Sequence, residues 1–300
     1  MWRYQLTIKA NQAGRTVKEQ LMAWNLPQRL RGGLRIARGI RINGILASTA
    51  QILQVGDKLT LDFPADIFRN PAGNAYPGND SCQLDILYEN DSLVLVDKPA
   101  GMKMHPHSPT ERDTLFNYLA AQFKRDNHRS AGQAARPYMI HRLDRATSGL
   151  VLVAKNPVVV PILNAQLRDK IIRRRYLAWV SGKMPADAGL IDQGIGIDPD
   201  DDRLRKINGI KAQSAQTQWT LLEEAGDASL LELELETGRM HQIRVHLAAK
   251  GHPIIGDDWY GGQPAERLML HSYSIDLPLP FSDDEEFHYT CPPRSDFKAK

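Results

Sequence analysis

Asp144 stands between Arg142 and Arg145, with His141 just before and Thr147-Ser148-Gly149 just after. A carboxylate so placed can act as a nucleophile or as a general base. It can equally be one half of a surface ion pair, worth little to stability. The flanking chain argues against the second reading. Tyr138 to Ile140 and Leu150 to Ala154 are apolar, β-prone runs, so the ionisable residues occupy a loop between two strands. Loops held on a rigid sheet concentrate catalytic groups. Thr147, Ser148 and Gly149 supply a tight turn with hydroxyls able to bond the backbone.

Two further stretches bring cations toward apolar elements. Arg173-Arg174-Arg175 leads into Tyr176-Leu177-Ala178-Trp179-Val180, a strand entered through three arginines. A basic run ending on an aromatic residue suits contact with a nucleic-acid backbone and a base. Met240, Ile243 and Leu247 recur at helical spacing and Gly251 is placed to stop a helix, so residues 239 to 250 are predicted helical. Arg244 on that helix is either a surface residue or an inward guanidinium paired with a carboxylate, for which Asp144 is the candidate.

The elements that must hold these groups follow the chain. Thr16-Val17-Lys18-Glu19 is a capping box, and Val17, Leu21 and Trp24 give a short helix ending near Pro27. A second helix is expected from Pro27 to Arg38, weakened by Gly32-Gly33, with Arg31, Arg35 and Arg38 on one face. Asn43-Gly44 between apolar residues marks a hairpin, and residues 55 to 61 read as a turn into another strand. Residues 66 to 81, rich in Pro, Gly and Asn, read as a linker. Strands are expected at 84–88 and 93–97, and a helix at 114–123 capped by Thr114, with Leu115, Tyr118, Leu119 and Phe123 inward. Residues 124 to 135 read as an exposed polar loop, whose basic members either contact phosphate or are simply solvated. A helix at 157–169, an exposed acidic loop at 198–202 and an alternating strand at 230–236 complete the reading.

His141-Arg142-Leu143-Asp144 with Thr147-Ser148-Gly149 resembles the signature loop of the RluA family of pseudouridine synthases. Asp97-Lys98-Pro99-Ala100-Gly101, His105-Pro106, Arg175-Tyr176, residues 238 to 246 (Gly-Arg-Met-His-Gln-Ile-Arg-Val-His), Gly251-His252-Pro253 and Gly256-Asp257 follow in the family's order. Residues 1 to 65 resemble, more loosely, the S4 RNA-binding domain, as in RluD-like members. The resemblance implies an α+β fold, a mixed and largely antiparallel sheet with helices and loops around a basic cleft. It implies three segments: an RNA-binding domain at 1–65, a linker at 66–81 and a catalytic domain at 82–300. Asp144 would be the catalytic residue, as nucleophile or base, and Arg142 would enter the space the flipped uridine leaves. Tyr176 would pack on the base, Arg244 would pair with Asp144, and Ile243 would help form the apolar wall. His141 and Leu143 join the substrate-binding set, and Arg31, Arg35 and Arg38 would contact phosphate. Converting uridine to pseudouridine breaks the glycosidic bond, turns the uracil and rejoins it through carbon 5. No metal or coenzyme is expected. The substrate would be structured RNA, ribosomal RNA before transfer RNA, with the base taken out of its stack.

Bulk properties agree with this without requiring it. The 300 residues, 42% hydrophobic and 24% charged, allow two domains of an ordinary globular protein. The net charge of +3 is mild, so nucleic-acid binding must be argued from clustered Lys and Arg. Cys82 and Cys291 lie far apart without metal-ligand spacing, which suits reduced thiols in a cytoplasmic protein, and a monomer is expected. No targeting or membrane-spanning segment is expected. Two other classes compete: a non-catalytic RNA-binding protein of ribosome assembly or regulation, and a hydrolase using His141 or His241 with Asp144. The grouping of Asp144, Tyr176 and Arg244 argues against the first, and the lack of a nucleophilic Ser or Cys in an activating motif against the second.

Overall fold

The capping box forms as its residues require. Thr16 Oγ1 accepts from the Glu19 N–H at 3.2 Å, and the Glu19 carboxylate accepts from the Thr16 N–H at 2.7 Å. A computed structural model describes residues 1–68, 76–282 and 286–299, so positions 69–75 of the expected linker lie outside the described residues. Strand β1 (Trp2–Thr7) is followed by helices α1 (Val17–Ala23) and α2 (Gln28–Ile36), then β2 (Ile40–Ile42), β3 (Ile45–Leu46) and β4 (Lys58–Phe63). These strands form a sheet of order β1-β4-β2-β3. Asn43 and Gly44 both take positive φ, 53° and 83°, as a tight hairpin turn demands. Helix α2 stops at Ile36, and Arg38 lies beyond it in the left-handed region at φ 52°. Arg31 and Arg35 therefore share the helix, whereas Arg38 projects from the turn after it.

The larger part begins with β5 (Asp85–Glu89), β6 (Leu93–Lys98), α3 (Leu115–Arg125) and the short strands β7 (Arg129–Ser130), β8 (Gln133–Ala134) and β9 (Tyr138–Met139). Then come β10 (Ser148–Ala154), α4 (Val160–Arg168), β11 (Arg173–Ser181), β12 (Ala188–Asp192), β13 (Ile195–Ile197), β14 (Arg205–Ile207) and β15 (Ile210–Gln213). The chain ends with β16 (Gln216–Ala225), β17 (Ala228–Leu235), α5 (Gln242–Ala249), β18 (Leu270–Leu277) and β19 (Phe287–Thr290). The main sheet runs β12-β16-β17-β11-β18-β10-β6-β5, with β19 on β18 and β9 on β10. Its pairings among the described residues are antiparallel except β10 with β18, so the expected α+β, mixed and largely antiparallel fold is what forms.

The parallel contact is short, only Ser148 to His271 and Gly149 to Ser272. Gly149 permits it. Its φ is 105°, and a Cβ there would lie 2.3 Å from the Ser272 carbonyl oxygen. Beyond Gly149 the two strands part, β10 pairing with β9 and β18 with β19. The loop carrying Asp144 leaves the sheet at this fork.

Two expectations are corrected by packing. Residues 124 to 135 are not an open loop, because α3 runs to Arg125 and β7 and β8 form a hairpin. Ser130 and Ala131 are buried there, and Ala131 accepts a hydrogen bond from the Arg3 N–H. Thr114 precedes α3 but does not cap it with its side chain; the hydroxyl bonds Asn117 instead. The N-terminal sheet also shares a core with the large one. Phe281 packs its ring 4.3 Å from Tyr4 and 5.7 Å from Trp24, while Asn156 donates to the Tyr4 hydroxyl at 2.7 Å. No helix of the described residues is long and apolar enough to cross a membrane.

Candidate active site

Asp144 sits where two clefts meet. One, of about 480 Å³, is walled by Tyr176, Ile243, Leu143 and the segment from Glu234 to Arg244. The other, of about 670 Å³, runs past Lys103, His105, His107 and Trp259. Arg142, Leu143, Asp144, Met240, His241 and Arg244 line both. All the residues expected around the base are thus brought together: His141, Arg142, Leu143, Asp144, Tyr176, Ile243 and Arg244. Arg31, Arg35 and Arg38 line neither cleft and stand apart on the N-terminal sheet's helices and turn.

The loop is held from below by Lys98. Its side chain is fully buried, and Nζ donates to the carbonyls of Pro99, Met102 and Arg145 at 3.0, 2.9 and 3.1 Å. Burial pulls its pKa down to about 7, while the Asp144 carboxylate works the other way. Arg145 returns the contact, donating from Nε to the Gly101 carbonyl at 2.9 Å. Asp144 is therefore the projecting residue of a loop stapled on both sides.

Arg244 reaches the carboxylate from α5, but its principal partner is Asp257. Nε and Nη2 donate to the two Asp257 oxygens at 2.8 and 2.7 Å, a bidentate fork around a carboxylate with no exposed side-chain surface. Nη1 is left to face Asp144 at 3.6 Å. The expected pairing with Asp144 is thus a looser approach by a guanidinium fixed elsewhere. Trp259 and Tyr260 hold that guanidinium at 5.5 and 5.0 Å from their ring centres, and their N–H groups also donate to Asp257. Burial opposes the Arg244 charge, yet the hydrogen bonds and charge of Asp257 outweigh it, and its pKa is raised. Gly256 makes the turn into Asp257 possible; a Cβ there would lie 1.9 Å from the Arg267 carbonyl oxygen.

Helix α5 is shorter than its sequence pattern predicts. It starts at Gln242, and His241 caps it in the left-handed region at φ 57°. Arg239 and Met240 precede it, so Met240, expected within the helix, lies outside it, is exposed and flanks the clefts. Inward polar groups anchor the helix: Gln242 donates to the Gln216 carbonyl and the Thr217 hydroxyl, and His246 bonds Thr217. His241 bonds the Tyr260 hydroxyl through Nδ1 at 2.8 Å and turns Nε2 toward Asp144 at 3.9 Å. Burial lowers the His241 pKa against the pull of Asp144, which favours the neutral ring.

Asp144 therefore has a cation and an imidazole close by, at 3.6 and 3.9 Å, but neither within hydrogen-bonding distance. Its side chain is 22% exposed. Such a carboxylate keeps its oxygens free for an incoming group. Ser148 and His271 form a buried Ser–His contact of 2.8 Å, but neither lines the clefts and the Arg267 guanidinium also donates to the Ser148 hydroxyl, so this pair lacks a nucleophile's access.

Comparison with known proteins gives the family. The RNA pseudouridylate synthase family pattern matches residues 92–249, and that of the RluD ribosomal pseudouridine synthase N-terminal domain matches residues 4–59. The chain belongs to the RNA pseudouridylate synthase family. It is 33% identical over 249 residues to an RNA pseudouridine synthase of Bacillus subtilis, covering 82% of this chain and 78% of that one. It is 33% identical over 294 residues to ribosomal large subunit pseudouridine synthase D of Nitrosomonas europaea, covering 93% and 81%. Among solved structures, human RNA pseudouridylate synthase domain containing 1 matches with a TM-score of 0.58 at 27% identity, over 72% of this chain and 86% of that one. The synthase is thus an isomerase acting on RNA.

Sequence reasoning placed Asp257 and Lys98 in motifs without giving either a role, and it passed over the Trp259-Tyr260 pair. Asp257 follows a glycine in a motif, and Lys98 with Asp97 ends a strand that is apolar from Leu93 to Val96, the two signals by which they were open to detection. Neither shows its partner, because the contacts are made through loops and turns that carry no periodic pattern.

Proposed function

We propose that Asp144 is the catalytic carboxylate of this RNA pseudouridine synthase and that the target uridine is drawn into the 480 Å³ cleft beside it. The observation that carries this is the state of Asp144: partly exposed at the junction of two clefts, faced by Arg244 and His241, and bonded by neither side chain. Arg244, locked by Asp257, holds positive charge near the carboxylate without occupying its oxygens. Tyr176, Ile243 and Leu143, all buried, provide an apolar slot for the uracil face. Arg142 is exposed, has no hydrogen-bond or ion-pair partner among the described residues, and lines both clefts, which suits a side chain that takes the place of the extruded base.

The segments divide as residues 1–65 for RNA binding of the S4 type, 66–81 as the connection and 82–300 for catalysis. Arg31, Arg35 and Arg38 would engage phosphates away from the target base. The RNA is ribosomal, a reading supported by the likeness to the Nitrosomonas europaea synthase over most of both chains, and the enzyme works as a cytoplasmic monomer without a coenzyme. Mapping pseudouridines in total RNA from cells with and without the gene tests the target. A ribosomal pseudouridine that disappears on deletion and is restored in vitro by the purified protein is the expected result. Loss confined to transfer RNA would refute the ribosomal assignment.

A further inference from the structure

The cleft beside Asp144 contains two buried donors that the protein leaves unpaired. Among the described residues, His141 Nδ1 and Arg174 Nε are both shut off from solvent and have no hydrogen-bond partner. Leaving such buried donors unpaired destabilises the fold. A fold that keeps two of them in one cleft has an acceptor still to come.

Their chemistry defines that acceptor. The Leu152 N–H, without a strand partner where β10 parts from β18, donates to His141 Nε2 at 2.9 Å, so that nitrogen carries no proton. Burial, with the Arg174 charge adding to it and the Arg142 backbone opposing it, lowers the His141 pKa to about 3, so the ring is neutral at working pH and its one proton is on Nδ1. Arg174 is the middle of three consecutive arginines. Arg173 pairs with Glu286, and Arg175 with Glu234 and Asp276, but Arg174 has no carboxylate partner among the described residues. It lines the cleft, with its guanidinium beside Gly238 in the loop that leads to His241 and Arg244. Arg174 and Tyr176 are two apart on β11 and share a face, separated by roughly 6.7 Å along the strand. That is about the reach from a nucleotide's base to its own phosphate. Both orphan groups only donate, whereas uracil presents a donor at N3 as well as its carbonyls.

We propose that His141 Nδ1–H and the Arg174 guanidinium bind a phosphodiester flanking the extruded uridine, clamping the nucleotide while its base lies against Tyr176. This rests on the synthase reading above and adds a substrate contact to it.

The test uses a ribosomal RNA hairpin bearing the mapped uridine, with the phosphate on its 5′ or its 3′ side replaced by a neutral methylphosphonate. With wild-type enzyme, replacement at one of the two positions should lower kcat/KM by roughly ten- to hundredfold, the worth of a charge-assisted hydrogen bond. Arg174→Met should show a similar loss on unmodified RNA and no further loss on that methylphosphonate. Arg174→Gln serves in the same comparison if the Met variant fails to fold. Independent losses at both positions, or full activity of the variants on unmodified RNA, would overturn the clamp while leaving the synthase reading in place. Absence of pseudouridine with wild-type enzyme and unmodified RNA would refute both.

Discussion

At the scale of single residues, the site depends on one guanidinium serving two carboxylates. Arg244→Met should abolish turnover and also leave Asp257 as an unpaired buried charge, so stability should fall by about 3–5 kcal/mol. Urea denaturation beside a pseudouridine assay checks both; a variant as stable as the parent would mean that the fork contributes nothing to the fold. His141 offers a test by pH. Its folded pKa is depressed to about 3, whereas in the unfolded chain it is near 6.5. The unfolded state therefore takes up the proton first. The stability this residue contributes is complete above about pH 6.5 and is lost as pH falls toward 3. Ring nitrogen shifts measured at pH 5 should show a neutral imidazole protonated on Nδ1, and titration near pH 6.5 would contradict the buried placement.

At the scale of elements, the fork between β10 and β18 places the loop, and Gly149 makes the fork possible. Gly149→Ala must push a methyl group against the Ser272 carbonyl from a left-handed backbone, and should cost at least about 2 kcal/mol by urea melting. Unchanged stability would mean the strands are free to separate there. The loop itself was legible in sequence because apolar runs on either side enclose it, and so was the helix bearing Arg244, because Ile243 and Leu247 keep its period. The start of that helix was not. His241 adopts a left-handed conformation that nothing in its residue type demands, and Gln242 and His246, polar yet buried, face β16 through hydrogen bonds to residues more than twenty positions away. The fork with Asp257, thirteen residues on, was hidden because the turn that brings it back to Arg244 leaves no periodic signal. Local pattern shows which face of an element is apolar; it does not show which distant carboxylate an inward arginine will meet.

At the scale of the whole molecule, the N-terminal sheet was readable as a small unit but its attachment was not. Phe281, at φ 61° in the left-handed region, places its ring against Tyr4 and Trp24, and no sequence period announces such a residue. Deleting residues 1–65 would expose this shared core, so charge substitution probes RNA binding more cleanly than truncation. Replacing Arg31, Arg35 and Arg38 together by Ala should weaken RNA affinity and reduce the slope of log K against log salt by about 2 to 3, since each phosphate contact contributes roughly 0.7–0.9. An unchanged slope would remove these residues from the RNA interface.

The claim on which the account turns is that the Asp144 carboxylate does the chemistry. Asp144→Asn keeps the shape of the side chain and removes its charge, while Arg244 stays fixed by Asp257. The folded variant should bind RNA much as the parent does. Pseudouridine formed by purified protein in RNA carrying the native site is the decisive measurement. The account predicts none from Asp144→Asn under conditions where the parent converts the RNA fully, and substantial product from the variant would contradict it.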